Sequence, residues 1–156
     1  MEITFIPVNE ENEKEIRGLR PALEQQGFIE TVDECLREAG ERADWRPLGI
    51  YADGRLVGFA MYGFFQEYPP AGRLWLDRLL IDERCQGKGY GRRAFAGLLR
   101  RLWKEYPWAE SIYLSVTEGN TAAAALYESF GFSYTGERDV HNERVMLLSG
   151  RPETIE

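Results

Sequence analysis

Residues 86–91 read Gln86-Gly87-Lys88-Gly89-Tyr90-Gly91, with glycine at every second position between an apolar stretch and an amphipathic one. Where a strand passes into a helix, such glycines let consecutive backbone N–H groups point into one concavity, and the helix dipole adds positive potential. That combination suits a pyrophosphate at a helix N-terminus. The loop is not a P-loop, because Gly-x-x-x-x-Gly-Lys-Ser/Thr is absent. Nor is it a Rossmann fingerprint, which follows the first strand of its βαβ unit and precedes an acidic residue at the end of the second. Alternate glycines alone are weak evidence for any one ligand.

The remaining composition narrows the chemistry. His141 is the single histidine, so a His-based metal centre and the Ser-His-Asp and Cys-His arrangements are excluded, and no metal is expected. Cys35 and Cys85 are too few for a disulfide framework and wrongly spaced for zinc, and are expected to be reduced thiols. Catalysis must then rest on carboxylates, tyrosine, backbone dipoles and a borrowed cofactor. With 26 acidic against 19 basic residues the net charge is −7, which disfavours nucleic acid and mildly favours a cationic substrate. No apolar run reaches membrane-span length, and the N-terminus lacks a basic and then apolar leader. We expect a cytoplasmic protein that engages neither membrane nor nucleic acid.

The elements around the loop follow from hydrophobic period. Residues 3–7 read as a strand, and 10–26 as a helix with Ile16, Leu19 and Leu23 on one stripe, interrupted at Pro21. Thr31-Val-Asp-Glu34 is a capping box ahead of a second helix carrying Val32, Cys35, Leu36 and Ala39. The period then becomes two: 48–52 and 55–62 form a hairpin through Asp53-Gly54. Residues 73–81 are the most apolar stretch of strand length and belong centrally in the sheet. A helix over 92–106, a strand over 111–116, a helix over 122–130 capped by Asn120 or Thr121 and ended at Gly131, and a hairpin of 132–140 with 144–148 complete the chain. Residues 1–148 make one domain and 149–156 a tail. This order fits an α/β (α+β) fold: a mixed, mainly antiparallel sheet of six or seven strands with helices on both faces. The unit from 74 to 116 is expected to be a right-handed parallel crossover.

Gln86-x-x-Gly89-x-Gly91 after an apolar strand resembles the coenzyme A pyrophosphate signature of the GNAT-type N-acetyltransferase superfamily. Asn120-x-x-Ala-x-x-Leu126-Tyr127-x-x-x-Gly131-Phe132 resembles its second signature, in the expected order and distance. The resemblance covers essentially the whole chain. Within the superfamily the sequence looks most like bacterial spermine/spermidine (diamine) N-acetyltransferases, through Gly58-Phe-Ala-Met-Tyr-Gly63, Trp75-Leu-Asp-Arg78, Ile81-Asp-Glu-Arg-x-Gln-Gly-Lys-Gly89 and Phe28-Ile-Glu30.

The resemblance implies a GNAT fold with a splayed central parallel pair, acetyl-CoA as cofactor, a primary-amine substrate and a homodimer. Backbone N–H groups of Gln86, Gly87, Lys88, Gly89, Tyr90, Gly91 and Arg92 would hold the pyrophosphate. The pantetheine arm would lie along Leu79-Leu80-Ile81, where that strand parts from Ser115, and an N–H near Leu79 would polarise the thioester carbonyl. Tyr127 matches the tyrosine that protonates the departing thiolate, and a phenol of pKa ≈ 10 is protonated at neutral pH. Asn120 matches a coenzyme-contacting position, with the helix cap as an equally good role.

Asp77 stands where diamine acetyltransferases carry the carboxylate that takes the ammonium proton, directly or through water. Its alternative is a pairing with Arg78, which departs from the acidic residue that many relatives have there. Glu30, Glu67 and Glu24 are candidates for the distal amine groove, and Trp75 and Tyr68 for its aliphatic stem. Each is also an ordinary surface or packing residue. The expected reaction is direct acetyl transfer to spermidine or spermine in a ternary complex. The alternatives are another amine (an aminoglycoside, an amino acid, a protein N-terminus or lysine) or a non-catalytic acyl-CoA sensor.

Overall fold

The structure, a computed structural model, describes residues 2–21, 31–67 and 71–152. β1 (Ile3–Pro7) leads to α1 (Glu13–Arg17) and α2 (Val32–Glu41), then β2 (Trp45–Ala52), β3 (Arg55–Phe65) and β4 (Arg73–Ile81). A short 3-10 turn, Glu83–Cys85, precedes α3 (Tyr90–Glu105). β5 (Ser111–Val116), α4 (Thr121–Ser129), β6 (Ser133–Arg138) and β7 (Arg144–Ser149) follow.

Of the expected helix over 10–26, the described residues up to Pro21 form only the single turn and a half of α1. Pro21 disfavours the α conformation at Arg20, and the Arg20 N–H is drawn away to a side-chain acceptor, Oδ1 of Asp82. Leu23, Glu24 and Glu30 lie outside the described residues. The capping box of α2 forms as expected: Thr31 Oγ1 accepts from the Glu34 N–H, and Glu34 Oε1 accepts from the Thr31 N–H, both at 3.1 Å. α3 starts two residues earlier than its sequence pattern indicates, because Gly89 adopts the left-handed conformation and serves as its N-cap. Ser149, expected to open the tail, ends β7. Arg151 beyond it reaches back to the carbonyls of Trp103, Tyr106 and Ala109 and sits over the Trp103 ring.

All seven strands form one sheet in the order β1-β2-β3-β4-β5-β7-β6. Every neighbouring pair is antiparallel except β4 and β5, which α3 joins as a parallel crossover. Those two strands share one paired position, Trp75 with Tyr113, and part beyond it. Alternation places the two faces of the sheet in two cores. On one, Leu74, Leu76, Ile112 and Leu114 pack under Phe95, Leu98 and Leu102 of α3. On the other, Phe59, Met61 and Leu80 pack under Ile16 of α1 and Val32 and Cys35 of α2. Each fully buried side chain of this kind is worth about 1.5–3 kcal/mol. β4 has Leu74 and Leu76 in one core and Leu80 in the other, so the wall of the parting is anchored from both sides.

One irregularity in β4 matters for the site. Met61 pairs with Arg78 and Tyr62 pairs with Leu76, so Asp77 is the extra residue that a β-bulge inserts. A bulge bends its strand and re-aims the side chain it carries.

Candidate active site

The parting of β4 from β5 opens a cleft of about 250 Å³. Its β4 wall includes Asp77, Arg78, Leu79, Leu80 and Ile81, and its β5 wall Ser115 and Val116. Gln86 and Gly91 stand at the end where the glycine loop begins, Asn120 and Tyr127 come from α4, and Glu143 from the β6–β7 turn. Strands that diverge expose N–H and C=O groups that a ladder would otherwise use, and an extended ligand can add itself there as a strand would.

The glycine loop is built from its anchors. Asp82, 1% exposed, accepts from the N–H groups of Arg20 at 3.0 Å and Arg84 at 3.1 Å, and from Arg84 Nε at 2.6 Å. Burial alone would raise its pKa, but the Arg84 side-chain bond and the two N–H bonds outweigh burial and hold it below the usual carboxylate range. Its own N–H donates to the Val57 carbonyl at 2.8 Å. Gln86 Nε2 donates to the Ile81 carbonyl at 2.6 Å and pins the loop to the end of β4. Gly87 and Gly89 both take φ +77°, and a Cβ at either would meet nothing within 4 Å. Their glycine character therefore serves the backbone turn, and the space above them is open. Left-handed glycines in such a turn can direct successive N–H groups to one side, and here they stand ahead of the N-terminus of a 16-residue helix. The loop fits the pyrophosphate of a coenzyme on these grounds.

Lys88 is exposed and Tyr90 half-buried beside this turn. Arg92 does not line the cleft: its guanidinium reaches Ser129 Oγ at 3.1 and 3.2 Å and covers the Phe130 ring, tying the start of α3 to the end of α4.

Tyr127 projects from α4 with its ring against Phe95 at 5.2 Å and Phe132 at 6.2 Å. Its phenol is pushed up to about 12, chiefly by burial, with the Arg78 guanidinium lowering it and the Glu143 carboxylate raising it. The group therefore keeps its proton across the physiological range. Asn120, 7% exposed, caps α4 through its side-chain oxygen, which accepts from the Ala123 N–H at 3.4 Å. It faces the cleft as well, so the cap and a ligand contact are compatible.

Asp77 and Arg78 are adjacent on the bulge. Arg78 Nη1 donates to the Asp77 carbonyl at 2.9 Å, and Arg78 Nε lies 4.0 Å from Asp77 Oδ2, the outer limit of an ion pair. The expected pairing of the two is thus present at long range, and Asp77 is among the residues that line the cleft. The arrangement brings a proton acceptor, Asp77, and a proton donor, Tyr127, to one cavity whose far end is an anion cradle. That set can accept a proton from an ammonium and supply one to a leaving group.

Not every candidate arrives there. Trp75 packs its ring on Tyr113 at 5.4 Å, on the face opposite α3, and does not line the cleft. Glu67 is exposed past the end of β3, at the end of the β3–β4 pair opposite the glycine loop. Glu24, Glu30 and Tyr68 lie outside the described residues. Sequence reasoning passed over Asp82 and Glu143. Asp82 carried a signal as the polar residue ending an apolar strand, but its N–H partner at Arg20 is remote. Glu143 reads as one surface carboxylate among many. Among the described residues no group of three metal-ligating side chains occurs, and no helix is long and apolar enough to cross a membrane.

Residues 12–132 match the model of the acetyltransferase (GNAT) family. Over 150 residues, 94% of this chain and 98% of the relative, the sequence is 43% identical to the spermine/spermidine N(1)-acetyltransferase of Bacillus subtilis (strain 168). Among solved structures, an acetyltransferase from Thermus thermophilus superposes with a TM-score of 0.72 at 21% identity, covering 96% of this chain and 97% of that one. The PaiA N-acetyltransferase from Thermoplasma acidophilum, in complex with coenzyme A, superposes with a TM-score of 0.66 at 19% identity, covering 96% and 99%. At these identities the two structures speak to the fold.

Proposed function

The chain belongs to the acetyltransferase (GNAT) family and is an N-acetyltransferase of that family, which uses acetyl-CoA; from that premise we propose that its acceptor is a polyamine, spermidine or spermine. The observation that carries the reading is that Asp77 and Tyr127 line one cleft with the glycine loop at its end. The near-full-length similarity to a spermine/spermidine acetyltransferase supports the choice of amine, as does the net charge of −7.

When bound, acetyl-CoA supplies an acyl group activated as a thioester. The chain's residues then divide the work. The N–H groups of residues 86–92 would hold the pyrophosphate, and Leu79, Leu80 and Ile81 with Ser115 would hold the pantetheine arm. Asp77 takes the proton of the incoming ammonium, so that the amine attacks as a free base. Tyr127 would hold at its hydroxyl the proton that a thiolate leaving group needs. The bulge aims Asp77, and burial keeps the Tyr127 proton in place. Binding of both substrates before transfer gives a ternary complex rather than an acyl-enzyme. A cytoplasmic homodimer is part of the same reading, and sedimentation velocity tests the dimer.

The decisive experiment measures thiol release from acetyl-CoA with a panel of amines: putrescine, spermidine, spermine, an aminoglycoside, amino acids and lysine-containing peptides. Turnover of spermidine and spermine above the rest is expected, with KM rising as salt is added. Turnover of an aminoglycoside or a peptide with none of the polyamines would defeat the reading.

A further inference from the structure

Helices α1 and α2 cover their face of the sheet over β2, β3 and β4, and no described residue of β5 or β7 belongs to the core beneath them. The side chains on the β5–β7 strip of that face follow from alternation. Ile112, Leu114 and Val116 are buried under α3, so Tyr113 and Ser115 project from the opposite face. Leu74 and Leu76 are likewise under α3, which sends Trp75 to that same face, where it meets Tyr113. Met146 and Leu148 face α3, so the same parity puts Glu143 on the strip. A direct contact agrees: Ser115 Oγ donates to Glu143 Oε1 at 3.2 Å.

Glu143 is held independently of its carboxylate. Its N–H donates to Asp139 Oδ1 and its carbonyl accepts from the Asp139 N–H, both at 2.9 Å, which closes the β6–β7 turn through the backbone. The carboxylate is then tethered by Ser115 in the same cleft that Asp77 lines from the opposite strand. An aliphatic chain with an ammonium at each end matches that layout. Its reacting nitrogen requires one carboxylate at β4, and its second charge requires another carboxylate in the same cleft.

We propose that Glu143 is a specificity-determining residue of the acceptor site, its Ser115-tethered carboxylate receiving the second ammonium of a polyamine whose reacting amine lies at Asp77. The inference rests on the polyamine reading above. A monoamine has no charge to give Glu143, so the residue acts on the choice among amines.

The test compares kcat/KM for spermidine with kcat/KM for n-butylamine in wild type, Glu143→Gln and Ser115→Ala. Glu143→Gln keeps the backbone bonds to Asp139 and the side-chain volume, so it should fold. The spermidine-to-butylamine ratio should fall about tenfold in Glu143→Gln, mainly through KM for spermidine, as expected for one charge-assisted contact. Ser115→Ala leaves the charge and removes its tether, and should lower the ratio by a smaller factor. An unchanged ratio in Glu143→Gln, with wild type turning over spermidine, overturns the role of Glu143 and leaves the polyamine reading standing. A drop in Ser115→Ala equal to or larger than that in Glu143→Gln assigns the effect to Ser115 and also overturns it. If wild type turns over no polyamine, the polyamine reading fails and this inference falls with it.

Discussion

The backbone N–H of Arg20 donates to Oδ1 of Asp82 at 3.0 Å, joining the segment after α1 to the residue that opens the glycine loop. The partner bond from Glu83 N–H to the Arg20 carbonyl, at 2.7 Å, makes the link reciprocal. Asp82→Ala leaves the N–H groups of Arg20 and Arg84 and the Arg84 Nε without their acceptor and should cost about 1–3 kcal/mol in urea unfolding. Because the folded pKa of Asp82 is depressed, its contribution is present above its unfolded pKa near 4 and is lost as pH falls through the folded value. The gap between wild type and the variant should therefore close in acid. A gap that persists undiminished below pH 3 would mean that packing, rather than the carboxylate charge, holds this corner.

Removing only the hydroxyl of Tyr127, as Tyr127→Phe, should lower kcat by ~10²-fold, the range of a positioned proton donor. Coenzyme affinity should stay near wild type, since the ring keeps its contacts with Phe95 and Phe132. Steady-state kinetics with a separate binding titration distinguish the two. An unchanged kcat would show that the sulfur takes its proton elsewhere.

Alkaline behaviour gives a second view of the same group. Burial pushes Tyr127 and Tyr106 up to about 12, and raises Tyr62 also. Folded values above the unfolded value of about 10 mean stability that is complete below pH 10 and lost as pH rises from 10 to 12. Absorbance at 295 nm should show late-titrating tyrosines, and Tyr127→Phe should flatten part of the stability loss.

Gly89 carries φ +77° with open space where its Cβ would be. Gly89→Ala should therefore fold with a strain cost of about 1–2 kcal/mol. Gly89→Glu adds a negative charge where the pyrophosphate is expected, and should abolish the rise in Tm that acetyl-CoA produces in wild type. An undiminished Tm shift in Gly89→Glu would remove this loop from coenzyme binding.

Asp77→Asn keeps the size and geometry of the bulge residue and removes its capacity to accept a proton. The expected result is a large fall in kcat with a smaller change in KM, most visible at low pH where the substrate amine is fully protonated. A fully active variant would leave Asp77 as a neighbour of Arg78 and the base elsewhere.

Gly58 tests the wall of the cleft. A Cβ there would lie 2.3 Å from the Leu80 carbonyl oxygen, a backbone atom of β4 that cannot step aside. Gly58→Ala should destabilise by ~3 kcal/mol, the upper end of overpacking costs, as read by the urea midpoint. Gly91→Ala is the contrast: its Cβ would touch only Ile81 at an ordinary 3.7 Å, so stability should hold.

What the sequence determined by itself is what local chemistry writes along the chain. Gly87 and Gly89 mark left-handed backbone because other residues resist it, Thr31 and Glu34 cap α2 within one turn, and the change of period from 3.6 to 2 separates helices from strands. The paired signatures around Gln86 and Tyr127 belong to the same class, since each lies within one strand-to-helix passage. Tertiary structure decided what depends on residues far apart in the chain. That Asp77 is the extra residue of a bulge follows from its register against Met61 and Tyr62. That α1 stops early follows from the claim of Asp82 on Arg20, and that Glu143 reaches the cleft follows from the pairing of β7 beside β5 and from the Ser115 hydroxyl. Trp75 and Glu67, equally plausible by residue type, do not line the cleft: Trp75 sits against Tyr113 where β4 and β5 are still paired, and Glu67 lies at the far end of the β3–β4 pair. A side chain's type and spacing record the conformation it prefers, whereas its neighbours are set by how strands align and part, and no short stretch of sequence carries that information.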